Sequence, residues 1–449
     1  MGAGPLLCGL DIGASRIKAL LVDEDGQPSG FAATPTPFSP ARGGIETTVD
    51  DLLAAVAGAL AGLGPRRRRV AAVGIAGLAE SGAPLDRHGT PLAPVIAWHD
   101  PRGGQTVARL QRRFGDALAH RIGQRARTVS SAAKLGWLVD HGVGGVDRWL
   151  GVPELCAAAL AGTGVTEHSL AARTGWYDVG ERRYLPEVAE AVGVPASAFP
   201  PVVPAGTAAG TVGAGGATWS GLPEGVPVTV AGHDHLVGVA GAGVGWHGDL
   251  VSSVGTAETV VTGTSSLPDP ARALDLGVAV TVAPGGAGWA VLAGAARAGL
   301  VLAGAARLLG QDPAELDARA ESGLWAGGGP DDTGRRLVAA LQAGERPALT
   351  GPPGQVWGQL LGALAERTAE AVGRVVELLG PSDRLVAVGG GSRSRPWLRA
   401  KAARVGMEVW RSPVGEAVAR GAAVAAGVAA GWWPDLEGAP PVDLEAVRI

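Results

Sequence analysis

Twice along this chain a short apolar strand runs into a turn of glycine and small hydroxylated residues and returns at once as a second strand. The first copy reads 6–10, then Asp11-Ile12-Gly13-Ala14-Ser15, then 17–22, with Asp23-Glu24-Asp25-Gly26 closing the hairpin. The second reads 248–253, then Gly255-Thr256-Ala257, then 258–262. Short runs of β-branched and apolar residues bounded by such turns are strand signals. The repeated opening predicts two α/β domains of related topology around a central cleft. At 449 residues the chain is also too long for one ordinary core. We place the boundary near 246–249, giving an N-terminal domain 1–247 and a C-terminal domain 248–449. Neither half shows a short repeat of the solenoid kind.

The remaining pattern fits alternating strands and helices. Strands are predicted at 69–75, 226–231 and 385–388, and a proline-rich loop at 34–40. Helices are predicted at 49–63, 105–114, 130–140, 293–309, 358–379 and 418–430. The helix at 49–63 opens on Asp50 and Asp51, where a helix N-terminus favours negative charge. The run Arg66 to Arg69 reads as a solvated lead-in to the next strand. The Ala- and Gly-rich stretch 414–433 contains Glu416 and Arg420, and reads as a tightly packed helix rather than a membrane span.

Composition removes several classes of function. A formal charge of −4 argues against nucleic acid or an anionic membrane as a partner. Two cysteines, Cys8 and Cys156, make neither a disulfide framework nor a cysteine-rich metal site. They are expected to be buried thiols. No basic region with a cleavage site precedes the first strand, so a cytoplasmic location is expected. Glycine, at 73 residues, is about twice its usual share, which weakens any single glycine motif.

Three groups of residues point to chemistry together. The strand at 226–231 ends in Gly232-His233-Asp234-His235. A carboxylate at the carboxyl end of a strand, beside a glycine, faces the place where ligands collect in open α/β sheets; a helix-capping aspartate is the plainer alternative. Asp11, Gly13 and Ser15 form a turn whose amides and hydroxyl suit phosphate oxygens. Asp11 is a candidate Mg²⁺ ligand there, and Lys18 on the next strand could neutralise phosphate charge. Gly255 and Thr256 offer a second turn of this kind. Gly389-Gly390-Gly391-Ser392 makes a third, between a strand and a helix starting near Arg395, where backbone approaches a flat ring or ribose closely. No P-loop and no Rossmann fingerprint with a correctly spaced acid is present.

With these residues in place, the chain resembles the FGGY family of carbohydrate kinases. The resemblance runs from residue 6 to about 431. It rests on GLDIGASRIKALLVDEDG, VGIAGLAESGAPLDRHGTPLAPVIAWHDPR, VAGHDHLVGVAGAG, SSVGTAETV, VAVGGGSRSRPWLRAKAARVG and GEAVARGAAVAAG, in that order. It implies an actin-like ATPase fold, two ribonuclease H-like domains with ATP in the cleft between them. Asp11, Gly13, Ser15 and Lys18 then fall on the first phosphate motif, Gly255 and Thr256 on the second, and Gly389, Gly390, Gly391 and Ser392 on the adenosine motif. Asp234 falls on the catalytic aspartate. Glu80, Trp98 and Asp100 fall on segments lining the sugar or polyol pocket, with His233 as a further pocket contact.

The implied activity is ATP-dependent phosphorylation of a hydroxyl of a small sugar, sugar acid or polyol, with Mg²⁺. A homodimer is one assembly open to the chain. The alternative is a ligand-binding pseudokinase or sugar sensor of the same fold without turnover. This sequence departs from the family pattern at Ala14, where a Thr is common, at Leu78 and Ala79 before Glu80, and at Arg399 and Ala403. The stretch 325–359 is also shorter than usual.

Overall fold

The computed structural model describes residues 4–41, 43–322 and 332–448. Its two large sheets have one plan. In the first, Leu6–Ile12 is flanked on one side by Arg16–Val22 and then Pro28–Pro35, each antiparallel to its neighbour, and on the other by the parallel strands Val70–Gly77 and Pro227–His233. In the second, Leu250–Val254 is flanked by antiparallel Glu258–Thr264 and Trp289–Ala296, and by parallel Arg384–Val388 and Glu408–Arg411. Numbered within each domain, both run 3-2-1-4-5. This is the expected pair of actin-like, ribonuclease H-like domains.

The parallel strands are almost wholly buried, as sheets covered on both faces must be. Thr48 starts the helix Val49–Gly62 by accepting the Asp51 amide, beside the acidic first turn expected there. A lobe of helices and short strands between residues 78 and 200 has a core of its own, including Trp149, Trp176, Leu185 and Phe199. Cys8 and Cys156 are free and buried, and burial pushes both thiols up to about 12.

The domains are joined by an exchange of helices. Asp234–Gly241 leaves the first sheet, and its Leu236 and Val239 pack with Val251, Val261, Val386 and Val388 of the second. Ala417–Ala429 leaves the second sheet, and its Ala419, Ala423 and Ala426 pack with Leu7, Leu20 and Ala72 of the first. The approach is close because the facing positions are glycine. A Cβ on Gly9 would lie 1.8 Å from the Ala419 carbonyl, and one on Gly74 1.8 Å from the Ala422 carbonyl. The Ala- and Gly-rich stretch is thus a packed helix. None of the described helices is long and apolar enough to cross a membrane.

Two local expectations are corrected. The segment expected to be helical from 293 is strand as far as Ala296, and the helix is Ala298–Leu309. Ala293–Ala296 is small enough for either state, and pairing with Glu258–Thr264 decides it. The loop at 34–40 is shorter than expected, since Pro28–Pro35 includes its first two residues and Ser39–Ala41 its last two. Residues 325–331 of the shortened stretch lie outside the described residues.

Candidate active site

Between the domains lies a cleft of about 580 Å³, lined from the first domain by Asp11, Gly13, Ser15, Lys18, Glu80, Trp98, His233 and Asp234. The second domain contributes Gly255, Thr256, Gly389 and Gly390. Most residues singled out from the sequence therefore meet in one place.

Asp234 is the first residue of its helix, directly after the buried strand Pro227–His233. It lines the cleft and does not cap the helix: His233 holds the cap position, and no side chain makes a capping hydrogen bond there. Its Oδ1 accepts from His233 Nε2 at 3.1 Å and from the His235 amide at 2.7 Å. Burial opposes its charge, but the two histidine rings and the donated hydrogen bonds outweigh burial and hold the carboxyl well below the usual range. The strand end is tied down in turn: the His233 amide donates to Ser169 Oγ at 2.9 Å, and Ser169 donates to the fully buried Glu167. His235 Nδ1 meets Ser253 Oγ of the second domain at 3.0 Å, a contact no sequence spacing announced.

The first phosphate-type turn is held by Gly13 donating to the Arg16 carbonyl at 3.1 Å and by Thr36 Oγ1 donating to the Gly13 carbonyl at 2.7 Å. Asp11 and Lys18 face each other across the ladder, and their charged atoms lie 3.3 Å apart. Lys18 also reaches Glu416 of the other domain at 2.8 Å. Burial pushes the Asp11 carboxyl up to about 6; Lys18 pulls it down, and the charge of nearby Asp234 pushes it up again. In the second turn, the Gly255 amide donates to the Ala257 carbonyl at 2.9 Å, leaving Gly255 and Thr256 exposed to the cleft.

The third motif divides. Gly389 sits at φ 87° with its backbone so near Val254 that a Cβ would lie 2.6 Å from that carbonyl. Gly389 and Gly390 border the cleft. Gly391 and Ser392 do not line it: a Cβ on Gly391 would strike Val254 and Trp397, and Ser392 Oγ donates to the Gly389 carbonyl at 2.7 Å. They shape the turn from beneath.

Asp100 is a correction. Its carboxylate is buried away from the cleft and held by Arg102 Nε and Nη2 at 2.9 and 2.8 Å and by the Ile45 amide at 2.6 Å. Burial raises its pKa, but these donors more than offset that and bring it down to about 2. Trp98, two residues earlier, does line the cleft.

Residues absent from the sequence reading complete the far end. Arg173 donates from Nε and Nη2 to Glu80 Oε1 at 3.0 and 2.8 Å, and from Nη1 to Gln124 at 2.8 Å. Arg127 lines the same end. Arg173 is 93 positions from Glu80, and no local periodicity links them.

Comparison with known proteins bears on the family and the fold. The sequence models for the FGGY family of carbohydrate kinases match residues 6–241 with the N-terminal domain and 329–430 with the C-terminal domain. A xylulose kinase of Streptomyces rubiginosus is 30% identical over 95% of this chain and 89% of its own length. An L-fuculokinase of Escherichia coli (strain K12) is 27% identical, and the chain spans about half of it, 54% of each. The crystal structure of xylulose kinase from Rhodospirillum rubrum superposes with a TM-score of 0.79 at 23% identity, covering 99% of this chain and 94% of that one.

Proposed function

The chain belongs to the FGGY family of carbohydrate kinases, and we propose that it transfers the γ-phosphoryl group of ATP to a hydroxyl of a small sugar, sugar acid or polyol. The observation that carries this reading is Asp234: a carboxylate held ionised at a strand end, in a cleft bordered by a phosphate-type turn from each domain.

In this reading the turn at Gly13 and Ser15 and the turn at Gly255 and Thr256 grip the phosphates from opposite sides, and Gly389 and Gly390 border the adenosine. Asp234 accepts the hydrogen bond of the substrate hydroxyl and aims its oxygen in line at phosphorus. Phosphoryl transfer passes through a loose transition state, so the alcohol becomes acidic only as the P–O bond forms. A carboxylate as acidic as Asp234 takes the proton at that late stage. Its larger contribution is orientation. Glu80 accepts sugar hydroxyls, and Trp98 covers an apolar face of the ring.

The residues present fit a divalent cation. Asp11 is a buried carboxylate whose charge Lys18 compensates only in part, because Lys18 is shared with Glu416. Mg²⁺ is ordinarily held by one or two carboxylates together with substrate phosphates. Asp11 would hold it, and the ion would neutralise charge on the phosphate oxygens.

ADP release measured against a panel of sugars, sugar acids and polyols tests the activity. Asp234→Asn, which keeps shape and removes the basic oxygen, is expected to lower kcat by about 10²–10⁴-fold while ATP still binds. A variant retaining more than about a tenth of the parent rate would remove Asp234 from the chemistry.

A further inference from the structure

The acceptor end of the cleft carries more positive charge than a neutral sugar needs. Arg173 is neutralised by Glu80 and fixed by Gln124. Arg127 has no ion pair and no side-chain hydrogen bond among the described residues, although it lines the same cleft. Two guanidinium groups and one carboxylate leave this end with a net charge of +1. Arg173 and Glu80 are the charged groups that act on Arg127, which sets it with them at the acceptor end.

The end is also built, not loose. Three consecutive residues at the start of the helix Ser131–Asp140 hold the three segments that form it. Ser130 donates from its amide and Oγ to the Arg127 carbonyl, at 3.1 and 3.0 Å. Ser131 Oγ donates to the Glu80 carbonyl at 3.0 Å. The Ala132 amide donates to the carbonyl of Thr174, the neighbour of Arg173, at 2.8 Å. One helix turn thus holds the backbone at Glu80, Arg127 and Thr174 together, while the Arg127 side chain stays exposed on the cleft.

Resting on the carbohydrate-kinase reading of the cleft, we infer that the acceptor is a sugar acid whose carboxylate is bound by Arg127 while Glu80 takes its hydroxyls. A planar guanidinium matches a carboxylate with two parallel hydrogen bonds. A neutral sugar in the same place would strip water from Arg127 and give no charge in return.

The test is calorimetric titration, without nucleotide, of matched pairs: gluconate against glucitol and xylonate against xylitol, with glucose 6-phosphate as a separate anion. The parent protein is expected to bind each aldonate about 10–100-fold more tightly than its alditol, the worth of a hydrogen bond to a charged group. Arg127→Met should abolish that preference and Arg127→Lys keep part of it. Equal binding of acid and alditol, an unchanged preference in Arg127→Met, or binding of the phosphate in place of the aldonates would overturn the assignment. ADP release run in parallel separates this inference from the activity. An aldonate that binds through Arg127 while no sugar, sugar acid or polyol of the panel gives ADP release sinks the kinase reading and leaves the sugar-acid site standing.

Discussion

In the first sheet the strand–turn–strand unit presents its acid, Asp11, to the cleft, whereas in the second the corresponding unit turns its acid, Glu258, into the core. Asp11 keeps a shared partner, since Lys18 is divided between it and Glu416. Glu258 is fully enclosed: its Oε1 accepts from Lys401 at 2.7 Å, Ser252 at 2.7 Å and Thr368 at 2.9 Å. Lys401 is itself buried, lies over the Trp397 ring, and has its pKa lowered by burial against the pull of Glu258. One fold unit therefore serves two ends. The first half offers charge to a ligand; the second offers backbone amides and a hydroxyl, with its charge sealed behind them.

The largest effect should come from breaking the sealed pair. Lys401→Met leaves an uncompensated carboxylate in the core, and denaturant unfolding should show a loss of about 3–5 kcal/mol. Adding Glu258→Leu should recover most of it. A single variant as stable as the parent would mean that the Lys401–Glu258 pair adds nothing to stability.

Next in size is the cleft pair. Asp11→Ala should lower kcat by about 100-fold and raise the Mg²⁺ concentration needed for half activity, since the ion loses its carboxylate. Thr256→Ala, in the second turn, should cost only about tenfold and leave the Mg²⁺ requirement alone, the worth of one hydrogen bond to a charged group. Equal Mg²⁺ titrations in both variants would erase the contrast drawn between the halves.

The smallest effect sharpens the comparison with a third buried carboxylate that has no cation partner among the described residues. Glu154 is met by the Thr166 hydroxyl at one oxygen, its other oxygen has no partner among the described residues, and burial pushes it up to about 7. The folded state holds this proton more tightly than the unfolded state does. The stability it brings is full below about pH 4.5 and is lost as the pH rises through about 7. Glu154→Gln has no such loss, so the Tm of the parent relative to the variant should fall by roughly 2–5 °C between pH 4.5 and 8. Parallel Tm curves would show that the carboxyl is ionised throughout.

What the sequence made legible follows the range of the interactions. The Asp11 and Gly255 turns and the Asp234 strand end are local events, set by a few neighbours in the chain, and each falls where expected. The Arg173–Glu80 pair and the Lys18–Glu416 bridge join segments distant in the chain, and only the folded topology brings them together. Asp100 misled because it stands two residues from a true cleft residue, while the chain turns between them and gives its carboxylate to Arg102. Residues 293–296 misled because alanine and glycine weigh too little between helix and strand, and the neighbouring strand settles the matter.

The seam of exchanged helices has a consequence for how this protein can vary. Gly9, Gly74 and Gly241 each touch the backbone of Ala417–Ala429, and Gly421 touches that of Asp234–Gly241. Every one of these sites already holds the smallest residue there is. Mutation at these glycines therefore has one direction: it can overfill the joint and never thin it. A variant there is a wedge driven between two plates, and even alanine would force the helices apart before any chemistry in the cleft was touched.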